Sequence, residues 1–548
     1  MAVSWRCLVL LGALVLTACS TSPSTRSVSP ATPASARSTA PAAGPTVAPT
    51  FRIESTPTPN SFVVTAQTPG ASTTRGRSSS STVTVPATPA APGPRADWPV
   101  FDLDPARSGV NPNERAITAT NVGRLVVLWT QHLPDVADSA PMYRDGRLYL
   151  TMRGGSTIAL DATTGAQLWW QTTTGPKITN SSPAVDPSGQ WVYAYGLDGF
   201  VHKYAAATGR EVTDTGWPAP VTLLTQVEKE SSALNLANGK LYVTTSGYLG
   251  DQGHYDGHLV VVDLGSGASA VFNSLCSNLT SLLTDQPGQP NYCPSVQSGV
   301  WARAGAVVDP TTGHVFIATG NGPWNGTTNW GDSVLELSAD GHTLVDSYTP
   351  SNQAELDDRD IDLGSTAPAL LPAQPASKTP LVAVQGGKDG ELRLLNRRDL
   401  SGQGHVGQLG GELQIVDAPG KCDVFTAPAV WTATDHSTWL FVATGCGLAG
   451  FQVVTSAAGE TSLVPRWQQR TGGTSPVVVN GILFVAHSGG VDARAAATGR
   501  LLWTSPPSGQ RGAIGQIHWE SPIVVAGKLF IADENGDFTA FGLPGGSS

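Results

Sequence analysis

Several short catalytic and binding motifs are missing from this 548-residue sequence. It has no Gly-x-Ser-x-Gly turn, no phosphate-binding P-loop and no zinc-type spacing of Cys and His. No Cys-x-x-Cys-His occurs, so we expect no covalently bound haem. The formal net charge is −10 and no basic stripe is present, which argues against a nucleic-acid partner because phosphates need clustered cations.

The sequence start has only a short apolar run, residues 8–16, which cannot cross a bilayer as a permanent helix. With one Arg before it, this run is typical of a signal peptide over residues 1–18. Residues 16–19, Leu-Thr-Ala-Cys, resemble the bacterial lipobox, which implies cleavage before Cys19 and a lipid on its sulfur. The alternative is an ordinary signal peptide with an incidental Cys19. We therefore expect an extracytoplasmic protein that reaches the membrane only through a lipid anchor.

Residues 19–95 are rich in Ser, Thr, Pro and Ala and poor in aromatic residues. Such a segment cannot bury enough apolar surface to offset the entropy of ordering it, so it is predicted to be a disordered tether. The remaining residues, 96–548, form the predicted folded domain.

The folded domain is built from a repeated unit, which is clearest in residues 139–171. There, short alternating segments are separated by turn signals, a pattern that predicts about four antiparallel strands per unit. Trp169 gives the outer strand of this unit a large apolar side chain that can pack on the neighbouring unit. The Ser- or Pro-rich start of the unit recurs at Ser139, Ser181, Glu230, Ala304, Ser365, Thr426, Thr474 and Glu520.

Eight units at periods of roughly 40 to 75 residues, with four strands each, predict an all-β, eight-bladed β-propeller that is a monomer. The last unit, from Glu520, ends without an outer strand. Residues 125–133 have the pattern of that missing strand. We therefore predict a closing blade made from both ends of the domain, which removes the open sheet edge.

Four cysteines remain in the folded domain: Cys276, Cys293, Cys422 and Cys446. In an exported protein an even number of cysteines indicates disulfide bonds. Of the three connectivities, pairing of sequence neighbours is the simplest, which gives Cys276–Cys293 and Cys422–Cys446.

Residues 97–112, the DATTG-x-x-x-W turn at 161–169 and the eight repeats together resemble the pyrroloquinoline quinone (PQQ) propeller superfamily. This superfamily includes quinoprotein alcohol dehydrogenases, polyvinyl-alcohol-dehydrogenase-like proteins and non-enzymatic outer-membrane assembly lipoproteins. The resemblance covers residues 96–545 and implies a quinoprotein alcohol dehydrogenase-like fold.

The resemblance also implies a site. Asn321, in Thr-Gly-Asn, matches the Asn that binds calcium in the enzymes, and Lys388 matches the cation that contacts the quinone. Residues 357–362 are similar to the acidic run that precedes the next blade of the family. Each feature also has an ordinary explanation, namely a Gly-rich turn for Asn321, a surface hairpin for Lys388 and a solvated loop for the acidic run.

Other positions depart from the family pattern. Trp301 lies near the position of the Trp that stacks beneath the quinone, but strict spacing gives Arg303. The position of the catalytic Asp falls on Thr327, so Asp332 is the predicted acid, five residues late. Residues 246–249, Ser-Gly-Tyr-Leu, lack the Glu that binds calcium, although Asp251 is nearby, and no vicinal cysteine pair exists.

Trp519, followed by Glu520, leads into the last unit where the central funnel is expected, so we also include Trp519 as a cofactor-binding candidate. The resemblance then implies an oxidoreductase that uses PQQ and Ca²⁺ to oxidise an alcohol or a sugar. Without a haem of its own, the protein would pass electrons to an external acceptor. The alternative is a non-enzymatic scaffold or binding propeller that contacts an envelope protein.

Overall fold

The computed structural model describes residues 97–248 and 250–545, so the predicted signal peptide, Cys19 and tether lie outside the described residues. Within these ranges, 33 strands form eight antiparallel sheets, and the predicted eight-bladed all-β propeller is confirmed. The described helices are short, and none of them is long and apolar enough to span a membrane. They are α1 (Gln353–Asp358) and three 3₁₀ turns, Val122–Arg124, Leu363–Ser365 and Pro419–Lys421.

We number the strands in chain order and list each blade from the inner strand to the outer strand. Blades 1 to 4 are β2 (Met142–Arg144), β3 (Arg147–Thr151), β4 (Thr157–Asp161), β5 (Gln167–Gln171); β6 (Ala184–Val185), β7 (Trp191–Tyr195), β8 (Phe200–Ala205), β9 (Ala219–Pro220); β10 (Glu228–Glu230) with β11 (Asn235–Ala237), β12 (Lys240–Gly247), β13 (His258–Asp263), β14 (Ser269–Asn273); and β15 (Val307–Val308), β16 (Val315–Ala318), β17 (Val334–Leu337), β18 (Leu344–Tyr348).

Blades 5 to 8 continue the same order. They are β19 (Ala369–Leu370), β20 (Val382–Gln385), β21 (Glu391–Asn396), β22 (Gln414–Asp417); β23 (Ala429–Thr432), β24 (Thr438–Thr444), β25 (Gly447–Thr455), β26 (Thr461–Gln469); β27 (Val477–Val479), β28 (Ile482–His487), β29 (Gly490–Ala495), β30 (Leu501–Thr504); and β31 (Ile523–Val525), β32 (Lys528–Ala532), β33 (Asp537–Gly542), β1 (Val126–His132).

Blade 3 has five strands instead of the predicted four. Its inner strand is split into β10 and β11, which pair with opposite ends of the long strand β12. Between them the chain turns away from β12 and Ala233 forms a bridge to Ser182 of blade 2. The inner strand is therefore interrupted where it meets the neighbouring blade.

Blade 8 is closed by both ends of the folded domain, as predicted. β1 pairs antiparallel with β33, with Val127 opposite Phe541 and Gln131 opposite Phe538. Because β1 is the outer strand of the blade that begins near Glu520, the ring has no open gap between its first and last repeats.

Tryptophans on the outer strands fasten neighbouring blades. The indole nitrogen of Trp169 donates to the Ala206 carbonyl at 2.9 Å, and its ring lies where a Cβ on Gly209 would come within 2.7 Å. Trp129 covers Gly165 of the next blade in the same way. Both glycines have positive φ, so each position requires glycine for its backbone conformation and for the close contact.

Residues 97–112, which we call the axial strap, cross the end of the propeller opposite the candidate site. The strap forms backbone hydrogen bonds with inner strands around the ring, for example between Pro99 O and Val185 N and between Gly109 O and Val478 N. Arg107 is buried, and its guanidinium donates to carbonyls of the strap and of blade 3. This short segment therefore joins blades that are far apart in sequence.

Both predicted disulfides are present. Cys276 and Cys293 have Cα atoms 5.9 Å apart, and Cys422 and Cys446 have Cα atoms 6.3 Å apart. The sequence-neighbour connectivity is confirmed.

Candidate active site

One end of the central funnel is formed by the segments that precede the inner strands and by the turns between the second and third strands. Because adjacent strands run in opposite directions, these two kinds of loop lie at the same end of the propeller. The predicted site residues all lie in such loops: Trp301 and Arg303 before β15, Asn321 after β16, Asp332 before β17, Lys388 after β20 and Trp519 before β31.

Asp362 is the residue on which several of these groups converge. Its carboxylate accepts the indole N–H of Trp301 at 3.0 Å and the backbone N–H of Asn321 at 3.0 Å. The ammonium of Lys388 lies 3.0 Å from Asp362 Oδ2 and 3.1 Å from Asp360 Oδ1. The same ammonium is 5.5 Å from the centre of the Trp301 ring, so these groups form one cluster at the funnel.

Burial and the ion pair act in opposite directions on the two charged groups. Burial raises the pKa of Asp362 above its ordinary value, although the charge of Lys388 lowers it. Burial lowers the pKa of Lys388, but the carboxylates of Asp362 and Asp360 outweigh this and raise it overall. Lys388 is therefore held as a cation next to a carboxylate that accepts a proton more readily than a free aspartate.

Asp251 adds a further carboxylate next to Asn321 of this cluster. Asp251 Oδ2 is 3.5 Å from the side-chain nitrogen of Asn321, and Asp251 Oδ1 accepts the Tyr255 hydroxyl at 2.6 Å. The sequence pattern placed Asp251 only near the missing Glu position. The fold instead brings a carboxylate and a carboxamide together, and such oxygens are suitable ligands for a hard cation.

Asp332, the acid predicted from spacing, is not among the groups that bond to Asp362. It is fully buried, and its Oδ1 accepts the backbone N–H of Leu363 at 3.0 Å. Its Oδ2 has no hydrogen-bond partner within the described ranges, and burial raises its pKa to about 8. Thr327, which occupies the expected position, lies on an exposed turn where it bonds to Asn325. The carboxylate at the centre of the cluster, Asp362, lies in the loop after α1, whereas Asp332 lies in the turn before β17.

Three aromatic rings form a row across the funnel. Trp301, Phe425 and Trp519 are each partly exposed. The ring centres of Trp301 and Phe425 are 5.9 Å apart, and those of Phe425 and Trp519 are also 5.9 Å apart. The row ends at the Asp362 cluster on one side and at His518 on the other, where His518 and Trp519 have ring centres 4.9 Å apart.

Arg303 lies beneath this row and does not present a free face. It is buried, and its guanidinium donates to the carbonyls of Asn180 at 2.6 Å and Ser231 at 3.1 Å. Its carbon Cζ is 5.7 Å from the centre of the Trp519 ring. Of the two alternatives, it is therefore Trp301 that presents an aromatic face, while Arg303 braces the loops from below.

A second polar cluster, which was not predicted, lies at the Trp519 end. Asp138 is fully buried and accepts His518 Nδ1–H at 2.9 Å and Arg153 at 3.2 Å. Arg153 also pairs with Glu534. Asp138, His518 and Glu534 are the one group of three His, Cys, Asp or Glu residues in the described part of the chain whose ligand atoms approach within 4.8 Å of one another. Arg153 already forms ion pairs with both carboxylates there.

Glu520, which follows Trp519, is also fully buried. One of its oxygens accepts the backbone N–H of His518 at 2.7 Å. Burial, together with the nearby charge of Asp138, raises the pKa of Glu520 to about 8. Its position is therefore inside the wall of the funnel rather than on its surface.

Residues 73–287 match the family model described as outer membrane protein assembly factor BamB. A curated relative, the quinohemoprotein alcohol dehydrogenase ADH IIB of Pseudomonas putida, is 24% identical over 229 residues. That match covers 38% of this chain and 32% of the relative, so the chain spans about a third of the curated protein it matches.

Two solved structures have the same architecture over most of their length. The quinohemoprotein alcohol dehydrogenase of Comamonas testosteroni superposes with a TM-score of 0.60 and 16% identity, over 83% of this chain and 81% of that one. A europium-containing methanol dehydrogenase gives a TM-score of 0.57 and 17% identity, over 80% and 89% of the two chains. At this identity the structural matches establish the fold alone. In its repeats and its eight blades the chain is similar to the PQQ-repeat, quinoprotein-like β-propellers.

Proposed function

We propose that this protein is a dehydrogenase that binds PQQ and a hard cation such as Ca²⁺ in the funnel and oxidises the hydroxyl of an alcohol or sugar. The observation that carries the proposal is the convergence on Asp362 of Trp301, Asn321 and Lys388, each at 3.0 Å. Counting Asp362, the four residues come from four separate loops of two blades. Turns with a purely structural role would not require these four side chains to meet.

The residues present suit both groups. Asp251 and Asn321 supply carboxylate and carboxamide oxygens, which are the donors that Ca²⁺ prefers. Trp301 offers a partly exposed indole face for a planar ring system, and Lys388 supplies a cation at the edge of that face. When bound, PQQ would supply the oxidant for the hydride equivalent, two electrons and one proton, that leaves the alcohol carbon.

The roles of the chain's own residues follow from their positions. The Asp362 carboxylate is the general base that takes the proton of the substrate hydroxyl, and its raised pKa brings it closer to the neutral range where a general base is most effective. Lys388 stabilises negative charge next to the aromatic face. The indole N–H of Trp301 fixes the orientation of the Asp362 carboxylate. Electrons then pass to an external acceptor.

Several features of the biology belong to the same proposal. The protein is taken to be an exported monomer, anchored to the membrane through a lipid on Cys19, with residues 19–95 as the spacer. The relative identified by sequence and one of the solved structures are named quinohemoproteins, whereas this sequence has no Cys-x-x-Cys-His. An external acceptor is proposed for that reason.

The test is reconstitution of the purified full chain with PQQ and Ca²⁺. We expect quinone absorbance to remain with the protein after desalting and to be lost when a chelator is added before reconstitution. Reduction of an artificial dye by an alcohol or sugar should then depend on PQQ. A parallel sample with a trivalent lanthanide tests whether the site prefers the larger charge.

Matched variants separate the roles. Asp362→Asn should abolish dye reduction, whereas Asp358→Asn, an exposed acid on the preceding helix, should not change it. Lys388→Met should weaken PQQ retention, whereas Lys378→Met, an exposed lysine between β19 and β20, should not. Full activity in Asp362→Asn would refute the assignment of the base, and no PQQ uptake by the wild type would refute the proposal.

A second candidate is a non-enzymatic binding propeller. It is favoured by the ion pairs of the funnel, because Lys388 already contacts two carboxylates and Arg153 contacts two others. In that case Asp362 and Lys388 serve only to join their loops. Wild-type protein that excludes PQQ in the presence of Ca²⁺ or a lanthanide would select this alternative.

A further inference from the structure

The loop that carries Phe425 braces the turn that carries Lys388. We call residues 418–426 the Phe425 loop and residues 386–390 the Lys388 turn. Ala418 N donates to Gly390 O at 2.8 Å, and Val424 N donates to Gly387 O at 3.1 Å. The two segments are therefore joined at both ends of the turn by main-chain hydrogen bonds.

The same loop reaches the segment that carries Asp362. Ser365 Oγ donates to the Val424 carbonyl at 2.9 Å, and Lys388 N donates to the Asp362 carbonyl at 3.0 Å. The Phe425 loop thus contacts both the Lys388 turn and the Asp362 segment. A displacement of this loop would disturb the aromatic row and the ion pair together.

The Cys422–Cys446 disulfide fastens this loop to blade 6. Cys422 lies in the loop, and Cys446 lies in the turn between β24 and β25. Apart from one 3₁₀ turn, Pro419–Lys421, the loop has no regular secondary structure. Gly420 has a φ of 68°, and a Cβ there would lie 2.6 Å from Cys446 Sγ, so the backbone passes directly against the disulfide.

The two disulfides differ in accessibility. Cys446 is exposed and Cys422 is partly buried. Cys293, in contrast, is fully buried in an apolar cluster with Leu275 and Leu283. Because thiol–disulfide exchange needs direct attack on a sulfur atom, an external dithiol can reach Cys446 far more easily than Cys293. The accessible disulfide is the one connected to the candidate site.

We infer that Cys422–Cys446 is a redox-controlled clasp on the candidate active site. An external dithiol breaks the Cys422–Cys446 bond and forms its own disulfide, so that two electrons and two protons pass to the cysteines. Reduction frees the Phe425 loop and, through its hydrogen bonds, loosens the Lys388 turn. An effect on PQQ binding rests on the proposed function, whereas the loosening of the turn does not.

Selective reduction of the full chain tests the first part. After treatment with dithiothreitol under native conditions, free thiols are alkylated and located by peptide mass mapping. We expect Cys422 and Cys446 to be alkylated at least ~10-fold faster than Cys276 and Cys293. Equal rates for the two pairs would overturn the inference.

Amide hydrogen exchange followed by mass spectrometry tests the second part. Reduction should speed exchange at least ~10-fold in peptides that cover the Phe425 loop and the Lys388 turn, because the loop that braces the turn loses its covalent link to blade 6. Unchanged exchange in the Lys388 turn of the reduced protein would overturn the inference. The readout needs no cofactor, so it is independent of whether the protein binds PQQ.

Double variants provide the matched comparison. Cys422→Ala with Cys446→Ala should show the fast exchange without reductant, whereas Cys276→Ala with Cys293→Ala should leave the Lys388 turn protected. If the first pair does not fold, the reduced wild type still decides the question. If the wild type retains PQQ, reduction should lower that retention, and wild type that retains none refutes the proposed function alone.

Discussion

Asp256 provides a direct test of how burial controls the charge of this propeller. Its side chain is fully buried, and neither carboxylate oxygen has a hydrogen-bond partner in the described part of the chain. The nearest cationic candidate, His254 Nε2, is 3.7 Å from Oδ2, too far for a hydrogen bond. Burial and the nearby charge of Glu228 raise the pKa of Asp256 from 3.8 to about 8.

The sign of the effect on stability follows from this shift. Between pH 4 and pH 8 the folded protein keeps the proton on Asp256, whereas the unfolded chain has lost it. The contribution of this proton to stability is fully present below the unfolded pKa and is lost as pH rises through the folded pKa. From pH 5 to pH 8 the loss is ~3 pH units at ~1.36 kcal/mol each, or about 4 kcal/mol as an upper estimate.

Asp256→Asn removes the titration and keeps the shape of the side chain. The buried amide has its own cost, so the informative quantity is the change with pH and not the stability at one pH. The free energy of unfolding of the variant minus that of the wild type should therefore increase by up to about 4 kcal/mol when the pH is raised from 5 to 8. Over the roughly 450 residues of the propeller, this corresponds to a gain of ~4 °C in relative Tm.

The assay is thermal unfolding followed by near-UV circular dichroism at pH 5 and pH 8. Asp285→Asn, at an exposed acid, is the control and should show the same difference from wild type at both pH values. If Asp256→Asn also shows a constant difference, Asp256 is ionised in the folded protein. The argument from burial would then be wrong.

Three further outcomes are expected. Trp129→Ala should destabilise the propeller by about 3–5 kcal/mol in urea unfolding, because the indole is buried against Gly165 and Phe538, and an unchanged midpoint would contradict its role in blade closure. Arg107→Met should cost about 3–5 kcal/mol, since it leaves buried carbonyls of the axial strap and blade 3 without donors, and a loss within 1 kcal/mol would show that the strap does not depend on it. Cys19→Ala should release the protein from membranes, and identical fractionation of variant and parent would contradict lipidation.

The local features of the fold follow directly from the sequence. The turn at residues 161–165 forms because Asp161 Oδ1 accepts the backbone N–H groups of Thr163 and Thr164, and Gly165 takes a positive φ. Such interactions depend only on neighbouring residues, so one repeat predicts the others. The count of eight repeats and the missing last strand were likewise enough to predict the closure of blade 8.

The break in the inner strand of blade 3 was not predictable in the same way. Residues 230–235 carry the same Ser- and Ala-rich pattern as the other units, and that pattern predicts one continuous strand. The strand splits because Ala233 pairs with Ser182 of another blade, which is a contact between distant residues. Local patterning cannot report such a competition.

The candidate site depended still more on the fold. The sequence indicated Asn321, Lys388 and Trp301 as candidates, because a family resemblance preserves residue types in short motifs. It predicted Asp332 as the acid, and it gave Asp251 no role beyond lying near the missing Glu ligand. The acid at the centre of the cluster is Asp362, from a loop whose place is set by α1 and by the blade that follows.

The sequence by itself thus determined the number of blades, their closure, the two disulfides and most of the residue types near the funnel. These depend on periodicity, on turn chemistry and on short separations along the chain. The tertiary structure alone decided on which buried carboxylate the funnel loops converge, because Asp362 bonds to Trp301 and Lys388, whereas Asp332 accepts the backbone N–H of Leu363. Proximity between loops of different blades is a property of the closed ring, and no single segment contains it.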